Sequence, residues 1–269
     1  MTVTLLLGIF VGAVLGLTGA GGGILAVPAL VAGMGWSMQQ AAPVALIAVA
    51  GSAAIGALEG FRHKLVRYRA AVWMAIMGVP FTSLGSTVAH VTPQRWLMEL
   101  FATVMLFVAF RLFRKGRSDN SHEHEDRISN LGRLNPKTGR FDWTWSTIML
   151  VGTIGATTGF MTGLLGVGGG FVIVPMLRRF TNVSMHGIVA TSLCVIAMVG
   201  FGGVVTALLH GVVLPIKVCL FFTAATALGM AIGRYLSGFL PAHRIQQGFA
   251  TVLVGVALLL VINATMGVK

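Results

Sequence analysis

The chain has 269 residues, 56% of them hydrophobic and 10% charged, with a formal net charge of +12 and a mean hydropathy of +0.88. Soluble domains carry about 25% charged residues, so a soluble fold is excluded. The basic surplus does not read as a nucleic-acid surface either: the bases sit in short loops between apolar runs, not interleaved with aromatics on a polar face.

The first charged residue is Glu59, after 58 uncharged ones. Apolar stretches run over about 3–34, 41–60, 70–89 and 96–113, and again over 144–177, 187–209, 218–240 and 245–264. Runs of about 20 apolar residues cross a bilayer as helices, and none alternates as the strands of a membrane barrel do. No basic segment precedes the first run, so it is expected to be retained and not cleaved as a signal peptide.

The first stretch is too long for one span and is broken at Gly19, Gly21, Gly22 and Gly23. It splits into pieces of about 15 residues, each about 22 Å long at 1.5 Å per residue, short of the roughly 30 Å hydrocarbon core. A two-legged unit bent at its glycines is expected; whether its legs cross obliquely or re-enter is left open. Arg62, Lys64, Arg67 and Arg69 follow the second stretch and place that loop in the cytoplasm. After the fourth stretch comes a polar linker, 114–142, that separates repeat 1–113 from repeat 143–269. Its His122-Glu123-His124-Glu125 reads as a solvated strip and not as a metal site, since no partner cluster exists elsewhere.

The second half repeats the first. Gly16-Leu17-Thr18-Gly19-Ala20-Gly21-Gly22-Gly23-Ile24-Leu25-Ala26-Val27-Pro28-Ala29-Leu30 returns as Gly163-Leu164-Leu165-Gly166-Val167-Gly168-Gly169-Gly170-Phe171-Val172-Ile173-Val174-Pro175-Met176-Leu177. Nine of these fifteen pairs are identical at an offset of 147 (163 minus 16). Ser37-Met38 falls on Ser184-Met185 and His63 on His210; the offset then becomes 148, with Pro93 on Pro241. Duplicated halves with glycine-interrupted apolar segments in matching positions point to a secondary transporter. Inverting the second half leaves 16 bases inside and three outside (Arg95, Lys217, Lys269), against 14 and five for parallel halves. The expected fold is therefore all-α and polytopic, two inverted repeats, each a glycine-broken segment plus three helices, with both termini outside the cytoplasm.

A run of glycines costs about 1 kcal/mol per residue in a helix, and broken backbone at membrane depth survives only where it is buried or lines a cavity. Freed amides and the N-terminus of the next half-helix form an anion site that needs no charged side chain; close packing through small residues is the competing use. The candidate binding residues are Thr18, Gly19, Gly21, Gly22, Gly23, Ser52, Gly166, Gly168, Gly169, Gly170, Thr191 and Ser192, with Thr162 a further hydroxyl. Each hydroxyl alone more often bonds its own helix. No Lys-Ser/Thr follows the glycines and no acid follows the first set until Glu59, so neither nucleotide fingerprint is met. Nothing acidic lies mid-span, which disfavours cation cargo and leaves neutral or anionic cargo.

Arg234, late in its span, reads as a snorkelling interface residue. His63 and His210 either shuttle protons or pack at the interface. Cys194 and Cys219 lie within apolar runs and read as buried hydrophobes. No nucleophile–base pair or H-E-x-x-H is present, so an enzyme is not expected, nor any cofactor or metal.

The doubled Gly-Leu-x-Gly-x-Gly-Gly-Gly followed by Val-Pro, the small-residue-rich spans and the His210-Gly211 turn resemble the sulfite exporter TauE/SafE family of bacterial membrane permeases. The resemblance covers nearly the whole chain outside the linker. It implies an inner-membrane permease for sulfite, organosulfonates or related sulfur oxyanions. The partners expected are a small anion and the lipid bilayer, with homo-oligomer formation left open. A non-transporting assembly or sensor component is the alternative.

Overall fold

A computed structural model describes residues 2–19, 21–116, 143–181, 183–209, 211–212 and 214–266. The strip 122–125 and His210 lie outside these residues. The first half comprises α1 (Thr2–Thr18), a 3-10 turn (Gly22–Leu25), α2 (Ala26–Met34), α3 (Met38–Arg62), α4 (Tyr68–Val91) and α5 (Gln94–Gly116). The second comprises α6 (Trp145–Leu165), α7 (Gly170–Phe180), α8 (Met185–Leu209), α9 (Ile216–Ser237) and α10 (Ala242–Met266). Seven of these helices are long and apolar enough to cross a membrane. Large apolar side chains stand exposed along the outer helices, among them Leu6, Phe10, Phe107, Phe110, Leu228 and Ile262. Exposure on that scale suits lipid and not water.

Local signals set the boundaries. Ser37 caps α3 in a reciprocal box with Gln40, both bonds 3.2 Å, and Gly35 ends α2 in the left-handed region at φ 67°. Thr144 caps α6. The expected equal legs are not found: the first legs have 17 and 21 residues, the second only 9 and 11. The reason is where each break falls. The leg α6 starts straight after the linker and gains a turn that α1 lacks, so α6 alone reaches full span length.

Glycine decides which helices pair. A Cβ on Gly8, Gly12 or Gly16 of α1 would run into the backbone carbonyl of Phe222, Thr226 or Met230 of α9. A Cβ on Gly155, Gly159 or Gly163 of α6 would likewise strike the carbonyl of Met74, Gly78 or Thr82 of α4. Residue numbers rise together in both pairs, so each pair runs parallel. Each contact in one set corresponds to a contact in the other, at 147 for α1 on α6 and 148 for α9 on α4. The central pair behaves differently. Gly60 sits against Ala190, Gly56 against Leu193 and Gly200 against Ala50, so α3 and α8 run antiparallel. Outside this core α5 packs on α10.

The same contacts put most of the charge at one end. The C-termini of α3 and α9 meet there through Glu59 and Arg234, Arg69 lies over Trp143 before α6, and Arg178 at the end of α7 feels the charge of Arg111 on α5. Arg95 and Lys217 begin α5 and α9 at the opposite end.

Packing this close predicts a sharp contrast between two glycines. Gly163→Ala forces α6 off α4 and should lower stability by about 1–3 kcal/mol. Gly248→Ala, in α10 with nothing within 4 Å of the added methyl, should be neutral or stabilise by about 0.5–1 kcal/mol. Thermal unfolding in detergent checks both; equal effects contradict the helix pairing.

Candidate functional site

The two glycine breaks are built differently and meet. In the first half the chain turns at Gly19 (φ 79°) and tightens into the 3-10 turn before α2. A Cβ on Gly22 would collide with the backbone of Leu15, so this turn folds back onto the leg it leaves. In the second half Gly166, Gly168 and Gly169 all have positive φ (72°, 58° and 63°), a path that side chains other than hydrogen resist. Gly169 caps α7, and its carbonyl accepts from Val172 at 3.0 Å and Ile173 at 3.2 Å. That leaves the Gly170 and Phe171 amides, at the very start of α7, without a hydrogen-bond partner among the described residues.

Val49 of α3 and Ile196 of α8 occupy the junction, and they are equivalents at the 147 offset. A Cβ on Gly23 would lie 3.0 Å from Val49 Cγ1 and 3.7 Å from the Val167 carbonyl oxygen. One on Gly168 would lie 3.1 Å from the same Val49 methyl and 2.9 Å from Ile196 Cγ2. The breaks of the two halves thus share one wall. Both are buried: residues 22–23 and 166–170 have almost no exposed surface.

The predicted hydroxyls divide into two groups. Thr18 donates to the Val14 carbonyl at 2.7 Å, Ser192 to the Val189 carbonyl at 2.8 Å, and Thr162 to the Thr158 carbonyl at 2.7 Å; all three are turned to their own helices. Thr191 accepts the Arg67 amide at 3.0 Å, bracing the loop after α3. Ser52 is fully buried and its hydroxyl has no partner among the described residues. It stands three residues beyond Val49, on the face of α3 that meets the breaks. Thr158, which sequence reasoning did not single out, is also buried and unpartnered, and it abuts Gly169. Its signal was available: it precedes Thr162 by four residues on the same face of α6. Buried polar groups are nearly always paired, so each orphan asks for an explanation.

A cavity of about 40 Å³ opens beside the second break, at the end away from Arg234. Gln39, Thr82, Ser86 and His90 supply its polar lining, and Gly163, Leu164 and Leu165 lead from it to Gly166. A water needs about 10–15 Å³ of such space, so about three or four fit. Among the described residues no cluster of three His, Cys, Asp or Glu side chains gathers to hold a metal, and Cys194 and Cys219 are buried and unpaired.

The profile of the sulfite exporter TauE/SafE family matches residues 4–260, almost the entire chain and both glycine breaks. The chain belongs to this family. A probable membrane transporter protein of Xylella fastidiosa is 26% identical over 261 residues, 96% of this chain and 94% of its own. A probable membrane transporter protein of Methanocaldococcus jannaschii is 25% identical over 208 residues, 75% of this chain and 70% of that one. Another from Bacillus subtilis, YjnA, is 24% identical over 195 residues, 70% and 72% of the two chains. No solved structure matches. The chain is accordingly a multi-pass membrane transporter.

Proposed function

We propose that this transporter carries a small anion, sulfite or an organosulfonate or related sulfur oxyanion, by alternating access across the inner membrane. The observation that carries the reading is the junction itself: one glycine break from each half against Val49, with the break of the second half leading straight into the N-terminus of α7 at Gly170. Amides at a helix N-terminus, together with the helix dipole, attract negative charge without a buried cation. The orphan hydroxyls of Ser52 and Thr158 add donors beside the break. Among the described residues the only carboxylates are Glu59 and Glu99, both near helix ends, so nothing acidic repels an anion from the junction.

The two halves are read as inverted repeats. Support comes from α3 and α8, equivalent helices that pack antiparallel, and from the parallel pairs α1 with α9 and α4 with α6. By the positive-inside bias the Arg-rich end faces the cytoplasm, which puts the linker inside and both termini outside. Transport then consists of one set of elements rocking against the other about the junction, coupled to the proton or to the membrane potential. No step calls for chemistry on the cargo, and the protein is read as a carrier and not as an enzyme. The competing account, an assembly or sensor component whose glycines only pack helices, uses the same close contacts but gives Ser52 and Thr158 nothing to bind.

Flux of labelled sulfite in reconstituted vesicles decides between them. Ser52→Ala and Thr158→Val should each slow the flux several-fold while leaving thermal stability equal or higher, because an unpaired buried hydroxyl costs about 1–3 kcal/mol. Absence of any flux of sulfite or sulfonate by the parent protein contradicts transport of these anions. Reporter fusions near 65 and 214 should report opposite sides of the membrane; the same side rules out inversion.

A further inference from the structure

The internal repeat makes each end of the bundle a template for the other. Element starts fix the correspondence at 147 for α3 and α8 (38 and 185) and at 148 for α4 and α9 (68 and 216). The cavity residues Leu46, Thr82, Ser86 and Gly203 therefore correspond to Leu193, Met230, Arg234 and Gly56 at the Arg-rich end. The contacts agree. A Cβ on Gly203 would meet Thr82 Cγ2 at 3.1 Å and Leu46 Cδ1 at 3.2 Å; one on Gly56 would meet Met230 Cε at 2.6 Å and Leu193 Cδ1 at 2.9 Å. At Gly56 a further atom is present, Arg234 Nη1 at 3.3 Å. What is a small polar cavity at one end is filled at the other by a thioether and a guanidinium.

Arg234 also faces two other groups. Its Nη1 donates to Glu59 Oε2 at 2.6 Å, joining α9 of the second half to α3 of the first. Its backbone nitrogen lies 2.8 Å from where a Cβ on Gly16 would stand, at the start of the first glycine motif. The first contact is made by the side chain, and a guanidinium that only snorkelled would not need it; the second sets Arg234 on the face of α9 that packs against α1. A second cation waits at the same end: Arg67 Nε is buried with no partner among the described residues.

We propose that Arg234 is a cargo-binding residue at the mouth of the Arg-rich end, and that Glu59 holds its place there until an oxyanion displaces it. The proposal rests on the anion reading above. A guanidinium binds a carboxylate and a sulfur oxyanion through the same fork of N–H donors, so the two compete for one group. The exchange is easy because the side chains of Arg234 and Glu59 are 35% and 52% exposed, and water screens such a pair. Release of Glu59 removes the ion pair between α9 and α3 and lets the guanidinium leave Gly56, bringing this end closer to the opening that Ser86 and Thr82 leave at the other. Substrate arrival and opening of the mouth are then one event.

The test is equilibrium binding of sulfite to the full-length protein in nanodiscs, by calorimetry, for the parent, Glu59→Gln, Arg234→Gln and Arg234→Lys. Removing the competitor in Glu59→Gln should tighten binding about threefold or more. Arg234→Gln should weaken it about tenfold, and Arg234→Lys should recover part of the loss. Opposite signs for the two neutralising variants are the signature, since a purely structural ion pair would shift both in the same direction. Glu59→Gln alters an exposed carboxylate and retains the fold even where Arg234→Gln does not. A parent that binds sulfite while Glu59→Gln binds equally or more weakly overturns the role of Arg234 and leaves the transport reading standing. A parent that binds no sulfite removes both.

Discussion

Two helices can approach until backbone touches backbone only where the intervening side chains are hydrogen, and the rest of this molecule depends on that approach. Gly8, Gly12 and Gly16 hold α1 to carbonyls of α9; Gly155, Gly159 and Gly163 hold α6 to the equivalent carbonyls of α4. In lipid there is little hydrophobic force between helices, so contact of this closeness supplies the packing that drives association. Each pair joins one half to the other. Neither half can therefore keep its first helix without its counterpart, and the fold is interlocked.

Interlocking brings the two breaks together. With α1 and α6 pinned to the opposite halves, their ends deliver both glycine segments to Val49 of the central antiparallel pair, with Ile196 beside the second. The backbone there is neither strand nor regular helix, which the hydrocarbon core tolerates only under cover of protein. The cover is nearly complete, and the cavity beside the second break admits only a few waters. The surrounding charge is lopsided: the Arg234–Glu59 ion pair lies at one end, while hydroxyls, Gln39 and His90 line the cavity at the other.

The repeat, the spans and the family resemblance were legible in the sequence because glycine spacing, apolar runs and loop charge are local signals. Leg lengths were not, since a glycine run marks that a helix breaks but not how far the chain on either side stays helical. The hydroxyls show the same limit. Thr18, Thr162 and Ser192 bond their own helices and Thr191 braces a loop, whereas Ser52 and Thr158 are orphaned; sequence gives all six the same chemistry. Arg234 read as a snorkelling cation because its partner lies 175 residues away in the other half. Only the fold brings Glu59 to it.

The central claim is that the junction of the two breaks receives an anion. Selenite, the heavier analogue of sulfite, scatters anomalously at the selenium edge and can be located without ambiguity in crystals of the protein. A peak between Gly23 and Val167, within hydrogen-bonding reach of the first-turn amides of α7, is the predicted result. Selenium found only at the exposed arginines, with the junction empty at saturating selenite, would contradict it.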